Sequence, residues 1–498
     1  MSALKDNRYI KAIDRKSVSD SIWLMADIDE RLALTLSQKF DFPEIVARIL
    51  ASRNVDIDVV EEYIEPTLKS LLPDPFHLLD MRKAAERTVY AIENNESIAV
   101  FGDYDVDGAT SSALLARYFR SLGIEPNIYI PDRIKEGYGP NTQALLHLHK
   151  CGVNLCITVD CGTMSFEPLA KAKEAGLDII VLDHHISEEI LPDALAVVNP
   201  NRLDETSEHG YMAAVGVAFI FAIAVNSLLR ERGYFKDRKE PALMKLLDIV
   251  ALGTVCDVVP LKGVNRAFVK QGLKVMQQRQ NIGLKALADC AGVDSSLSTY
   301  HLGFVLGPRI NAGGRVGQAG LGTRLLTTED VDEAYKISQQ LDIYNSERKT
   351  IEQLVLDEAF EQVENADKEA ALIFVKNRNW HPGVIGIVAG RIKEKYNRPV
   401  AVIAIDENGI GKASARSVSG VDFGVAVVAA YQSGLLIAGG GHAMAAGFSV
   451  EESKIDELYK FISKRFEKDL DNYKDKVIKL GAAISLSAIN IDLIKNIQ

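Results

Sequence analysis

The sequence predicts an α/β protein built in two blocks, on three observations. Short, wholly apolar runs alternate with helical stretches between about residues 80 and 260. An uninterrupted helical stripe fills residues 330–365. A smaller alternation of strands and helices follows, between about 370 and 470. Short apolar strands separated by helices imply a parallel sheet covered on both faces.

The elements read as follows. Residues 1–80 form a short helical N-terminal leader, in which Phe42–Leu50 has helical spacing, Val55–Ile64 continues it, and Pro66, Pro73 and Pro75 punctuate it. Ile98–Phe101, Ile128–Ile130, Leu155–Val159, Ile179–Leu182 and Ala196–Val198 are strand-like, with helices at Thr110–Leu122 and Phe166–Ala175 between them. Met212–Val225 is apolar, too short to span a bilayer, and reads as a buried helix. These elements make a first domain of residues 81–329. Ile337, Leu341, Tyr344, Arg348, Ile351, Val355 and Ala359 lie on one stripe of the 330–365 helix. That stripe fits a connection between two domains and equally a packed face within one. The second domain, residues 366–470, has strands at Ala371–Val375, Val400–Ile405 and Gly411–Ala415, a helix at Val384–Tyr396, and a glycine-rich stretch at Gly439–Gly447. Residues 471–498 are a C-terminal segment that includes a strand-like Leu480–Leu486.

Composition narrows the function classes. A chain of 498 residues with 47% hydrophobic and 25% charged residues has ample material for large cores. The first residues, Met1-Ser-Ala-Leu-Lys-Asp, carry no apolar signal region, so a cytoplasmic protein with no membrane partner is expected. Five cysteines without a C-x-x-C pair read as small apolar residues in a reducing compartment. A net charge of −11 argues against a surface coated in basic residues for bulk nucleic-acid binding, but leaves room for a local basic groove.

The chemistry concentrates where predicted strands end. Ile98–Phe101 runs into Asp103, Asp105 and Asp107; Leu155–Val159 into Asp160; Ile179–Leu182 into Asp183, His184 and His185. Ligands of open parallel sheets gather outside the carboxyl ends of the strands. One acid there is ordinarily a helix cap or a turn residue. Five Asp and two His on three successive strand ends would repel one another and be driven toward protonation. Divalent cations remove that cost; oxygen plus imidazole donors suit Mn²⁺, Mg²⁺ or Zn²⁺, and the absence of thiolates weakens the case for a structural zinc. The D-x-D-x-D spacing lets alternate residues address different ions, and Asp160 could bridge them. Two ions about 4 Å apart can stabilise both the attacking and the leaving oxygen of a phosphoryl transfer. Asp257, after the apolar Leu246–Leu252, reads by itself as a turn residue.

Gly102-Asp-Tyr-Asp-Val-Asp-Gly108, Val159-Asp-Cys-Gly162, Asp183-His-His185 and Gly253-Thr-Val-Cys-Asp-Val-Val-Pro-Leu261 resemble, in order, the four motifs of the DHH phosphoesterase superfamily. Within it, the chain is most similar to the bacterial single-strand-specific 5′→3′ DNA exonucleases. Further matching segments are Pro131–Asn141, Gly307–Arg315, Trp380–Gly386, Ser414–Ser417 and Gly440–Phe448, so the resemblance runs from about residue 80 onward.

The resemblance implies a DHH catalytic domain joined by the long helix to a DHH-associated substrate-binding domain. It implies two cations, Mn²⁺ or Mg²⁺. Asp105, with Asp103 nearby, would hold one; Asp107, His184 and Asp257 would hold the other; Asp160 would bridge. His185 would touch the scissile phosphate, and Asp183 would orient its histidine neighbours. Water activated by the ions would be the nucleophile, so no Ser or Cys nucleophile is needed. Arg133, Arg309, Arg315 and Arg416, with Gly440, Gly441 and His442, would bind substrate. The implied role is in DNA repair and recombination, with single-stranded DNA as substrate and a single-strand-binding protein or a helicase as candidate partners. Such exonucleases usually carry an OB-fold as well. The residues after about 470 leave no room for one, so weak, salt-sensitive DNA binding is expected. Two other readings compete: a phosphodiesterase of short oligonucleotides or cyclic dinucleotides, and a non-catalytic nucleic-acid-binding partner. The intact acids argue against the latter. A pyrophosphatase is disfavoured because Phe101, not a histidine, precedes the first acidic loop.

Overall fold

The computed structural model describes residues 9–11, 17–18, 21–132, 136–366, 370–469 and 476–497. They form two compact units, residues 62–347 and residues 1–61 with 348–498. The strands in chain order are β1 (Tyr9–Lys11), β2 (Ser21–Ala26), β3 (Ile98–Gly102), β4 (Asn127–Tyr129), β5 (Leu155–Val159), β6 (Asp178–Leu182), β7 (Ala196–Val198), β8 (Ile373–Asn377), β9 (Val400–Ile405), β10 (Ile410–Arg416), β11 (Ala438–His442), β12 (Ala445–Glu451) and β13 (Lys476–Leu480).

Residues 62–347 are built on a five-stranded sheet of order β4-β3-β5-β6-β7, parallel throughout. Its apolar runs have a direct cause. Ile98, Val100, Leu155, Ile157 and Val159 point into one core, while Ala99, Phe101, Cys156, Ile179 and Val181 point into another on the opposite face. Both parities are buried, so both must be apolar. The helix Ala214–Glu231 lies in the first of these cores. It is the one helix among the described residues long and apolar enough to cross a membrane, and 78% of it is buried inside the protein.

The other unit contains a second five-stranded sheet, of order β11-β12-β10-β9-β8, in which only β8 and β9 run parallel. Val400 and Val402 face one core and Ala401, Ile403 and Ile405 the other. The edge strand β8 is closed by a side chain: the Gln362 amide donates to Lys376 O (3.0 Å) and accepts from Lys376 N (3.1 Å). A three-stranded sheet of order β1-β2-β13 joins the two ends of the chain. Thus two strands precede the leader's helices Glu30–Phe40 and Glu44–Ser52. The C-terminal strand ends at Leu480, where the sequence pattern suggested that one began.

The helix Val331–Glu364 passes from one unit into the other. Ala334, Ile337 and Leu341 belong to the core of residues 62–347, whereas Val355, Leu356, Ala359 and Val363 belong to a core of the second unit. The stripe therefore connects and packs at once.

Candidate functional site

The ends of β3, β5 and β6 bring the predicted acids together. Asp105 caps the helix Val106–Ser121, its carboxylate accepting from the N–H groups of Asp107 (2.9 Å) and Gly108 (3.1 Å). Gly108 is required here: a Cβ would lie 2.4 Å from Asp103 O. Asp107, in the first turn, accepts from Ala214 N (2.7 Å) and Val215 N (3.0 Å) at the start of the next helix. Asp160 takes a left-handed conformation (φ 60°) directly after β5, while its N–H still bonds Leu182 O on β6 (3.0 Å). Asp257 follows the helix Leu247–Cys256, which passes so close to Thr110 and Val215 that a Cβ on Gly253 would lie 2.3 Å and 2.7 Å from their side chains, with Asp107 Oδ1 at 3.1 Å.

His184 is the hub. Its Nε2 lies 3.4 Å from Asp160, 3.6 Å from Asp257 and 3.8 Å from Asp107. Three sets of donor atoms each fit within 4.8 Å: Asp107, His184 and Asp257; Asp103, Asp105 and Asp160; and Asp160, His184 and His185. The first two are the groupings expected for separate ions, with Asp160 beside both. The third puts His185, expected to face a phosphate, within a set of donor atoms that could hold an ion.

Asp183 is already saturated. It accepts from Thr163 N (3.0 Å), His184 N (2.8 Å), His185 N (3.2 Å) and His185 Nδ1 (2.7 Å). Burial opposes its ionisation, but these donors hold the carboxyl well below the usual range. Burial likewise opposes a charged His185, yet the Asp183 carboxylate lifts that imidazole to about 9. The other acids move upward. Burial first, then the neighbouring Asp257 charge, pushes Asp107 to about 7; burial and Asp105 do the same to Asp257. Asp160 rises well above its ordinary value through burial and the charges of Asp105, Asp107 and Asp103.

This arrangement fits divalent cations. His184 Nε2 and Asp257 Oδ2 are buried and make no hydrogen bond among the described residues, although they face each other across 3.6 Å. Such orphaned donors, together with carboxylates pushed toward protonation, are what a cation would satisfy.

Several supporting residues were not singled out from the sequence, although Tyr138 lies within the matching segment Pro131–Asn141. Asn201 Nδ2 donates to His184 O (2.5 Å), and Asn199 Nδ2 donates to His185 O (2.8 Å) and Thr163 Oγ1 (3.0 Å). Tyr138 Oη donates to Asp160 O (3.2 Å) and lies 3.4 Å from His185 Nε2.

The predicted substrate residues are placed variously. Arg133 lies outside the described residues. Arg309 is engaged within its own unit, bonding Asp342 (2.9 Å) and Val305 O (2.8 Å). Arg315 lies in the last turn of the helix Gly307–Val316. In the other unit, Arg416 on β10 and His442 on β11 are both paired with Ala445 of β12, which sets them in one row across the sheet. The Arg416 guanidinium lies by Ser414 Oγ (3.4 Å) and by Gly386, at the start of the helix Ile385–Tyr396. Gly440 has open space where a side chain would be, and Gly441 adopts φ 151°.

Residues 97–254 match the DHH family, N-terminal domain, and residues 368–468 match the DHHA1 domain. The single-stranded-DNA-specific exonuclease RecJ of Escherichia coli K12 is 37% identical over 456 residues, covering 89% of this chain and 78% of that protein. The chain belongs to the RecJ family. RecJ of Bacillus subtilis 168 is 36% identical over 438 residues, which are 88% of this chain but only 54% of that longer protein. The crystal structure of RecJ in complex with Mn²⁺ from Thermus thermophilus superimposes with TM-score 0.80 and 29% identity, over 95% of this chain and 66% of that one. A second RecJ structure, bound to manganese, gives TM-score 0.68 and 34% identity over 80% and 96% of the two chains. The α/β fold, with its parallel sheet, is thus that of RecJ.

Proposed function

We propose that the chain is a cation-dependent exonuclease that hydrolyses single-stranded DNA from the 5′ end. The convergence of Asp107, His184 and Asp257 with Asp103, Asp105 and Asp160 carries this reading. The family supports it, since RecJ relatives are named for single-stranded DNA and their structures hold Mn²⁺ or Mg²⁺. When bound, two such cations supply charge stabilisation at the attacking and leaving oxygens of phosphoryl transfer.

The chain's own residues then divide the work. Asp107, His184 and Asp257 hold one cation, Asp103 and Asp105 the other, and Asp160 serves both. Asp183 takes His185 Nδ1, which leaves Nε2 of that charged ring to donate to a phosphate oxygen. Arg315, Arg416 and the Gly440–His442 backbone bind the strand, while Arg309 is held by Asp342 and Val305 O. Residues 81–329 act as the catalytic domain, 330–365 as the connecting helix and 366–470 as the substrate-binding domain. The reading places the chain in cytoplasmic DNA repair and recombination, beside a single-strand-binding protein or a helicase.

End-labelled single-stranded and duplex DNA, offered with Mn²⁺, Mg²⁺ or chelator, tests it. Cation-dependent release of nucleotides from the 5′ end of the single strand is expected, with blunt duplex resistant. Full activity after exhaustive chelation, or equal cutting of duplex, would sink the proposal.

A further inference from the structure

His184 and His185 stand side by side, yet only one of the two rings is aimed by a hydrogen bond. Asp183 takes His185 Nδ1 (2.7 Å). His184 Nδ1 makes no hydrogen bond among the described residues. A metal-binding histidine is ordinarily fixed through its second ring nitrogen. With Nε2 of His184 facing Asp107, Asp160 and Asp257, that second nitrogen is Nδ1, and it holds nothing. The neighbouring His185 ring, at 4.7 Å and 61°, restrains tilt without setting reach. What aims Nε2 must therefore act through the backbone.

The His184 peptide groups are fixed from both sides. The N–H donates to Asp183 Oδ1 (2.8 Å), and the carbonyl accepts from Asn201 Nδ2 (2.5 Å). Only the nitrogen of the Asn201 amide can face that carbonyl, because its oxygen has no proton to donate. Asn201 is itself held. Its N–H donates to Asn199 Oδ1 (2.8 Å), and its carbonyl accepts from Ser187 Oγ (3.4 Å). Gly210 makes room for its side chain, since a Cβ there would lie 2.5 Å from Asn201 Oδ1. Asn199 is fully buried and bonds both His185 O (2.8 Å) and Thr163 Oγ1 (3.0 Å). Arg202 then ties the turn to the edge strand β7, donating to Val197 O (2.6 Å) and Asp80 (2.9 Å), while Asp80 accepts from Val197 N (3.1 Å). A continuous line of support runs from the edge of the sheet, through Asn201, to the His184 peptide.

We infer that Asn201 is a positioning residue for cation binding: its amide sets the peptide plane of His184, and through it the aim of Nε2 at Asp107, Asp160 and Asp257. The inference rests on the function proposed above and names the residue on which the hub of the cluster depends. A ligand set has to be held within about 0.5 Å of its working geometry, and a ring carried on an unfixed peptide is not.

Calorimetric titration of the DNA-free protein with Mn²⁺ tests it. Asn201→Leu keeps the bulk of the side chain and removes the donor. It should weaken Mn²⁺ binding by roughly 10- to 100-fold, and excess Mn²⁺ should restore most of kcat on an oligothymidylate. In His184→Ala, adding Asn201→Leu should cost no further affinity, because the ligand it aims is gone. A residue that served the fold alone would not show that coupling. If Asn201→Leu does not fold, judged by circular dichroism, Asn201→Ser takes its place in the same cycle. Wild-type Mn²⁺ affinity in the folded variant, or an equal added loss in both backgrounds, would overturn the positioning role and leave the exonuclease standing. A wild type that binds no Mn²⁺, or a His184→Ala protein that binds it as the wild type does, would overturn the proposed cation site and the positioning role with it.

Discussion

At the ends of β3, β5 and β6 the side chains of Asp103, Asp107, Asp160 and Asp183 are buried and that of Asp105 half-buried, and backbone N–H groups hold Asp105, Asp107 and Asp183 in position. Along β11 all five residues are exposed and three have no side chain at all. Both regions carry matched motifs, but they are built differently. The first gathers like charges that resist being together and fixes their geometry in advance. The second offers bare backbone, with Arg416 and His442 in one row beside it. Substitutions in the first region should therefore cost activity while relieving strain. In the second they should act through backbone shape.

Asp160→Ala tests this difference most severely. Its carboxylate is shared by both expected cation sites, so cleavage of single-stranded DNA should fall at least ~10³-fold, or about 4 kcal/mol of barrier. The same change removes a buried carboxylate from among four other acids, a relief larger than the strain of Ala at φ 60°, so the cation-free protein should melt higher than wild type. Turnover assays and thermal unfolding after chelation check the two halves. A variant that is active, or that is destabilised without cations, contradicts the account.

The two adjacent histidines should separate next. His184→Ala removes the hub of the cluster and should lower bound metal, read by elemental analysis. His185→Ala should keep the metal and depress turnover by ~10²-fold. Equal metal loss in both would favour the Asp160, His184 and His185 grouping and place His185 on an ion.

A smaller effect concerns pH. Folding raises Asp107 and Asp257 from 3.8 to about 7, so between those values the folded state binds more protons than the unfolded one. Stability must then fall as pH rises through that window. His185, raised from 6.5 to about 9, contributes stability that is complete below 6.5 and is lost on the way to 9, which extends the same trend. The chelated protein should melt progressively lower from about pH 5 to pH 8. Mn²⁺ should flatten or invert that slope. A melting temperature independent of pH without cations would count against the clustered charges.

The hairpin gives the finest contrast. Gly441→Ala would set a Cβ 2.5 Å from Ala445 O at an unfavourable φ, and should cost about 1–3 kcal/mol in denaturant unfolding. Gly440→Ala meets open space and should change stability by less than about 0.5 kcal/mol. Similar costs at both positions would mean that the hairpin backbone is not the constraint.

Much of this was legible in the sequence, for physical reasons. Leu155–Val159 reads as a strand because both faces of it are buried, and its following acid then has only one place to go. Asp103, Asp105, Asp107, Asp160 and His184 were found because like charges at strand ends are unusual. Asn199 and Asn201 were not, because a polar pair after Ala196–Val198 looks like any turn until the carbonyls of His184 and His185 come to lie beside it. The pairing of Ser21–Ala26 with Lys476–Leu480 was invisible for another reason: the partners stand at opposite ends of the chain, and local periodicity says nothing about so distant a neighbour. Arg309 stands in a matched motif as a substrate residue, and nothing in the sequence marked Asp342, two helices further on, as the group that bonds it.

The Gln362 amide on β8 has a consequence for how the protein behaves in a crowded solution. A parallel edge strand with a free donor and acceptor is a template on which another chain can start to add. By turning its amide edgewise, Gln362 imitates one rung of a next strand and halts the ladder there. One side chain thus covers this rung of the edge, a local safeguard against open-ended assembly.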